Sequence, residues 1–165
     1  MSYKWTSETF TIREAVTESA ANTFTEQTVN LNLDSLSREI LVILRADLDV
    51  AYPDGVPGTY TSVQMSLANT EQTGVINIDN ADCIASANAV IVSGSPGDSV
   101  GFQEQMPESI NASDAPLFLV ATDNLYLGIK GLNNTNAKSG YMVLHARRAK
   151  ADAATYSAIL TSQFA

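Results

Sequence analysis

Arg38-Glu-Ile-Leu-Val-Ile-Leu-Arg-Ala-Asp-Leu-Asp-Val-Ala-Tyr52 is the stretch on which the fold of this chain turns. It opens as an unbroken apolar run, Ile40 to Leu44. It then alternates, with Ala46, Leu48, Val50 and Tyr52 on one side and Arg45, Asp47, Asp49 and Ala51 on the other. A period of two is the signature of a β-strand, and the β-branched content points the same way. A helix competes for Ser35 to Leu44, because Ser35-Leu-Ser-Arg-Glu opens like an N-cap. The alternation that follows favours one long strand. Pro53-Asp-Gly-Val-Pro-Gly58 closes it with turn chemistry.

The same pattern spreads outward from this segment. Thr28 to Leu33 alternates Val29, Leu31 and Leu33 against Thr28, Asn30 and Asn32, and Tyr60 to Leu67 alternates Thr61, Val63, Met65 and Leu67. Further strands are expected at Val75 to Ile78, Ala89 to Val92, Val100 to Gln105, Pro116 to Ala121 and Leu125 to Ile129. The last, Tyr141 to Arg147, is partly apolar on both faces and so reads as a central strand. Short strands about ten residues apart indicate an all-β antiparallel β-sandwich or small barrel of about eight strands. The first 25 residues are weakly patterned and read as an N-terminal arm, with a short strand around Glu8 to Arg13 and anchors at Trp5 and Phe10. At the other end Asp152 is a good N-cap. Ala153, Tyr156, Ile159, Leu160 and Gln163 follow at helical spacing. This predicts a short C-terminal helix, about 153–163, packing through Tyr156, Ile159, Leu160 and Phe164. No repeat or linker divides the chain, so the organisation is an arm, 1–25, and one sandwich domain with its helix, 26–165.

The 165 residues are 45% hydrophobic and 16% charged, which excludes the disordered class and suffices for a core without a disulfide or metal staple. Cys83 is the only cysteine, so no intrachain disulfide forms, and it reads as a small buried apolar residue. Met1 to Glu8 has no apolar core of a secretory signal. The longest apolar runs, Ile40 to Leu44 and Ala115 to Ala121, are too short to cross a bilayer. The expectation is a soluble protein made in a cytosol, in which the sequons at Asn111 and Asn133 carry little weight. The net charge of −9 is uneven. Up to Gly128 there are 17 acidic and 4 basic residues, and from Ile129 there are 5 basic and one acidic. That pattern fits a bipolar surface, or basic residues paired with carboxylates of the same chain.

Chemistry at neutral pH recruits His, thiolates or perturbed carboxylates. This chain has one His and one Cys, dispersed carboxylates, and no catalytic or cofactor motif. No enzyme activity and no cofactor are expected. Asp47, Asp49 and Asp54 are candidate Ca²⁺ ligands, against the reading of exposed strand carboxylates before a turn. Asp79, Asp82, Asp98, Glu104 and Glu108 are the candidates for a glycosidase-type pair, without an apolar setting to raise one pKa. Ser93-Gly-Ser-Pro-Gly-Asp98 is a turn, and His145 is a hydrogen-bonded sheet histidine. Arg147, Arg148 and Lys150, with Lys130 and Lys138, form the basic cluster, a candidate inner surface or nucleic-acid contact.

The strand layout resembles the single jelly-roll coat proteins of viruses, of the kind found in tailless icosahedral viruses of prokaryotes. The segments that carry the resemblance are Val29 to Leu33, Ile40 to Tyr52, Tyr60 to Leu67, Ala89 to Val92, Pro116 to Ile129 and Tyr141 to Arg147. The resemblance implies a jelly-roll sandwich that assembles with copies of itself, and with other virion proteins, into a shell. It implies the virion as location. Many coat proteins carry a basic N-terminal arm, whereas Glu8, Glu14, Glu18 and Glu26 make this one acidic. That departure fits a shell around a membrane or a separately condensed genome. Scarce lysines leave sheet edges for neighbours to cover, and Trp5, Phe10, Tyr156, Ile159, Leu160 and Phe164 are the expected subunit contacts. The alternative is a lectin-like or receptor-binding sandwich without catalytic activity.

Overall fold

The computed structural model describes residues 2–94, 100–105 and 116–164, with the backbone alone for 100–105 and Phe164. Its elements are β1 (Tyr3–Trp5), β2 (Phe10–Thr17), β3 (Thr25–Asn30), β4 (Glu39–Val50), β5 (Tyr60–Ala68) and β6 (Cys83–Ser93). β7 (Val100–Gln105), β8 (Phe118–Val120), β9 (Asn124–Leu132), β10 (Ser139–Ala151) and α1 (Ala153–Phe164) follow. The first sheet runs β1-β10-β4-β8, with β2 also pairing β10, and the second runs β3-β9-β5-β6-β7. Without β1 and β7, eight strands remain. In chain order, the first, eighth, third and sixth make one sheet and the second, seventh, fourth and fifth make the other. That order is a jelly roll, with every pairing antiparallel.

The run-then-alternation of β4 has a geometric cause. In the register with β10, His145 faces Arg45 and Ala146 faces Ile43, so Leu44 is an extra residue and a β-bulge. The bulge switches parity: Leu41 and Ile43 enter the intersheet core before it, and Ala46, Leu48 and Val50 enter after it. Before the bulge the other face is also covered. Ile40 and Val42 form a second core with Ala121, Ala149, Ala151 and Ile159 under α1, flanked by Leu44, Tyr156 and Leu160. The unbroken apolar run is therefore the half of the strand lying between the other sheet and the helix. Each such fully buried aliphatic side chain contributes about 1.5–3 kcal/mol relative to exposure.

The helix forms as expected. Asp152 Oδ1 accepts the Thr155 N–H at 2.7 Å, and that bond holds its carboxyl below the usual range. The competing helix at Ser35 does not form. Asp34 caps a single turn by accepting from Leu36 N and Ser37 N, and Arg38 at φ 55° ends it before β4 begins. β10 is central, between β4 and the β1/β2 pair. β7 has the expected bounds, while β6 starts six residues before the expected Ala89.

Two expectations are revised. Val75 to Ile78 is not a strand. Residues 70–82 pass as a strap over the outer face of the second sheet, where Ile76 N donates to Ser66 Oγ at 3.3 Å. Residues 3–17, within the expected arm, supply two strands to the first sheet rather than one short strand around Glu8 to Arg13. Their outward residues, Thr11, Arg13 and Ala15, are too mixed to show alternation, although Phe10, Ile12 and Val16 face the core.

Candidate functional site

The surface most suited to a function is the outer face of the second sheet. Val63, Met65 and Leu67 of β5 point into the core, which turns Tyr60, Ser62 and Gln64 outward. Tyr60 lies directly opposite Val92 of β6, and Ser62 lies between Leu132 of β9 and Val90 of β6. Tyr60, Val92 and Leu132 are 43%, 52% and 44% exposed, a cluster of apolar side chains in water on one rigid face. The edges of this sheet are β3 and β7. Their sequences, Thr-Glu-Gln-Thr-Val-Asn and Val-Gly-Phe-Gln-Glu-Gln, contain neither Lys nor Pro and one Glu each. On the first sheet the β8 edge is closed from within. Gln163, 4% exposed, accepts from Ala121 N at 3.2 Å and donates to Leu119 O at 2.6 Å. One side-chain amide thus stands in for a neighbouring strand.

The expected contact residues fall into two groups. Ile159 is buried under α1, and Tyr156 and Leu160 pack beside it on the chain's own sheet. The Phe164 side chain lies outside the described residues. Phe10 packs against the intersheet core, and Trp5, 41% exposed, is the one with most surface in solvent. Arg147 stacks on Trp5, 4.1 Å from the ring centroid, and donates to Ser7 O at 3.0 Å. Its neighbour Arg148 donates to Glu39 Oε1 at 2.5 Å and to Leu31 O at 2.8 Å, with its guanidinium 5.8 Å from the Phe10 ring. Arg147 therefore fastens the N-terminal segment to β10, and Arg148 fastens the β3–β4 connection and the start of β4 to it. Lys150 is exposed, opposite Lys4 on one side and Glu39 on the other.

The three aspartates do not converge. Asp47 pairs with Arg45 at 2.9 Å and lies 3.6 Å from His145 Nε2, on the open part of the first sheet, with exposed Asp49 two residues on. Asp54 instead binds Lys138 Nζ at 2.6 Å through Oδ1, while Oδ2 accepts from Thr135 N, Thr135 Oγ1 and Asn136 N. The Lys138 ammonium, helped by Thr135 and Asn136, holds its carboxyl well below the usual range despite partial burial. Asp79 and Asp82 sit in the strap, Glu104 is on β7, and Asp98 and Glu108 lie outside the described residues. Among the described residues no group of three or more His, Cys, Asp or Glu side chains is placed to hold a metal.

Sequence reasoning missed a polar knot beside Asp54. Glu18, 3% exposed, accepts from Thr23 N, Gly131 N and Lys138 N, each at 2.9 Å. Asn134 accepts from Asp54 N and donates to Ser62 O, and its backbone exchanges two bonds with the Asn22 amide. Gly131 is required here, since a Cβ would lie 2.6 Å from Asn134 Nδ2 and 3.0 Å from Glu18 Oε1. Three loops are tied together, and the Glu18 and Asp54 carboxylates are taken up by N–H and O–H donors.

No family model matches the sequence, and no curated protein matches it. Solved structures with a similar fold include Cocksfoot mottle virus, at TM-score 0.37 and 11% identity over 96% of this chain and 100% of that one. Desmodium yellow mottle tymovirus follows at TM-score 0.33 and 13% identity over 85% and 88%. A VP1 pentamer of Washington University polyomavirus gives TM-score 0.38 and 14% identity over 91% and 97%. Likeness at this level assigns no function.

Proposed function

We propose that this chain is a structural subunit of a virion coat, assembling through repeated contacts between its own copies and carrying no catalytic role. The observation that supports this reading is the Tyr60, Val92 and Leu132 cluster on the outer face of the second sheet. Clustered exposed apolar side chains on a soluble domain mark interaction surfaces. The β3 edge, whose strand has no Lys or Pro, extends the same argument, because an edge strand is a template for a neighbouring chain. The jelly-roll order of strands is an architecture of both capsid and lectin domains, so it is compatible with this role without deciding it. The prokaryotic host, the virion location and any contact with other virion proteins rest on the resemblance of the sequence's strand layout. Trp5 joins the proposed contact surface, whereas Arg147 and Arg148 are committed inside the chain, which leaves the exposed Lys130 and Lys150 as candidates for nucleic acid.

The test is the mass of the purified chain by light scattering after size exclusion, with negative-stain images of any large fraction. Uniform particles, tubes or stable rings support the reading. A clean 17.6 kDa monomer across varied salt and pH overturns it.

A further inference from the structure

We propose that the open part of the first sheet's outer face pairs with the same face of a second copy, about a two-fold axis that runs along β10. Away from α1 this face is three strands wide, because β8 pairs only Leu41, Val42 and Ile43 of β4. β10 is the middle strand there, with β2 on one side and β4 on the other. The two registers fix three rows of outward side chains. Thr11, His145 and Arg45 form the first, Arg13, Val143 and Asp47 the second, and Ala15, Tyr141 and Asp49 the third. Arg13, Arg45 and Asp49 are exposed, and Tyr141 is 53% exposed. A tyrosine on the midline with charges at the flanks has the make-up of an interface centre and its polar rim.

Charge says how two such faces meet. Arg13 forms no ion pair with any of the described residues. Asp47, on the far side of Val143, gives Oδ1 to Arg45 Nε at 2.9 Å, while Oδ2 has only His145 Nε2, at 3.6 Å. A solvated pair of that kind contributes little, and it leaves one Asp47 oxygen for a second cation. A two-fold contact must match the face with itself. An axis along β10 exchanges the β2 and β4 flanks and keeps each row level. Arg13 of each copy then meets Asp47 of the other, and Tyr141, Val143 and His145 meet their own counterparts at the axis. An axis across the strands instead sets Arg13 against Arg13 and Asp47 against Asp47, and such like-charge opposition selects against it. This face is separate from the Tyr60, Val92 and Leu132 cluster. The inference does not rest on the coat reading, because a pair of copies alone satisfies it.

The experiment is sedimentation velocity of the full chain over a range of concentrations, with wild type, Arg13→Asp, Asp47→Arg and an equal mixture of the two variants. Each variant alone opposes like charges twice across the axis, and its association should weaken at least about tenfold. The mixture sets the new carboxylate of one variant against the new guanidinium of the other. It also leaves the native Asp47 of the first facing the native Arg13 of the second. Association in the mixture should therefore return to within about threefold of wild type. Tyr141→Glu, at the axis, should lose association alone and in mixture with either variant, with unchanged circular dichroism because the position is exposed. Variants that associate alone as well as wild type overturn the inference. So do variants that lose association and do not regain it on mixing, the result expected if this face meets anything other than its own copy. Large wild-type particles that both charge variants still form alone overturn it and leave the coat reading standing. A wild type that stops at the pair, with rescue on mixing, supports it and removes the coat reading. A wild type that never exceeds 17.6 kDa overturns both.

Discussion

The buried carboxylate of Glu18 accepts the backbone N–H of Gly131 at 2.9 Å, joining the β2–β3 loop to the end of β9 across 113 residues of sequence. Its remaining bonds, from Thr23 N and Lys138 N, are also to backbone donors, so the charge is stabilised by three peptide dipoles rather than by a cation. Glu18→Gln keeps the shape but turns an NH₂ group toward an N–H donor. The expected loss is about 2–3 kcal/mol, read from urea denaturation, with a fall in melting temperature of roughly 5–10 °C. An unchanged midpoint would show that the knot does not contribute to global stability.

Asp54 adds a pH dependence whose sign is fixed by its surroundings. Its folded-state carboxyl is held below the unfolded value, first by Lys138 and then by Thr135 and Asn136. The contribution is therefore fully present above the unfolded pKa of about 4 and is lost as pH falls below it. Asp54→Asn removes that component. Wild type should be the more stable protein at neutral pH, and the gap should narrow through the acid range. Equal slopes of stability against pH below pH about 4 would contradict this.

The contrast between these loops and β4 explains which parts of the fold were legible. In β4 the sequence pattern and the structure share a cause: the apolar run ends where cover by α1 ends, and the alternation begins at the bulge. The Asp152 cap and the central position of β10 were legible for similar local reasons. Val75 to Ile78 misled because a strap lying across a sheet half-buries Val75 and Ile76 much as a strand does, yet pairs through a serine hydroxyl. The Glu18 knot left little mark, because its acceptors bind backbone N–H groups that every residue but proline has. Asn22 and Asn133, at φ 61° and 57°, were the faint signal, as asparagine tolerates the left-handed region where such loops turn.

Gln163 is expected to protect an edge as well as to stabilise the helix. Gln163→Leu preserves bulk but leaves Leu119 O and Ala121 N uncapped at the outer side of β8. The cost should be about 1–2 kcal/mol in equilibrium unfolding. Irregular aggregates should also grow with concentration, followed by light scattering, as an opened edge recruits strands. A variant that is less stable but remains dispersed would show that the amide serves only the helix.

Arg148 presents a fork that lysine lacks. It donates to Glu39, Asn32 and Leu31 together while lying near the Phe10 ring. Arg148→Lys keeps the charge but cannot span these acceptors, so a loss of about 1–3 kcal/mol is expected. Hydrogen exchange should rise first at residues 31–33 and at the start of β4, where the Arg148 guanidinium is bonded. If exchange rises uniformly instead, the β3–β4 connection and the rest of the sandwich open as one unit.

Val92 separates assembly from folding. Its side chain is half in solvent opposite Tyr60, so Val92→Lys removes little buried surface and should change the unfolding free energy by no more than about 0.5 kcal/mol. At an interface between copies the same change places an ammonium against Tyr60 and Leu132, where it would be desolvated without a partner. Sedimentation velocity should therefore show wild type in a large species and the variant shifted toward small ones at equal concentration, with matching circular dichroism. Leu132→Glu, of opposite sign on the same face, should act in the same direction. That agreement would assign the effect to loss of apolar contact rather than to a change in net charge. If both variants assemble like wild type, the outer face of the second sheet is not where copies meet, and the β3 and β7 edges become the surfaces to disrupt.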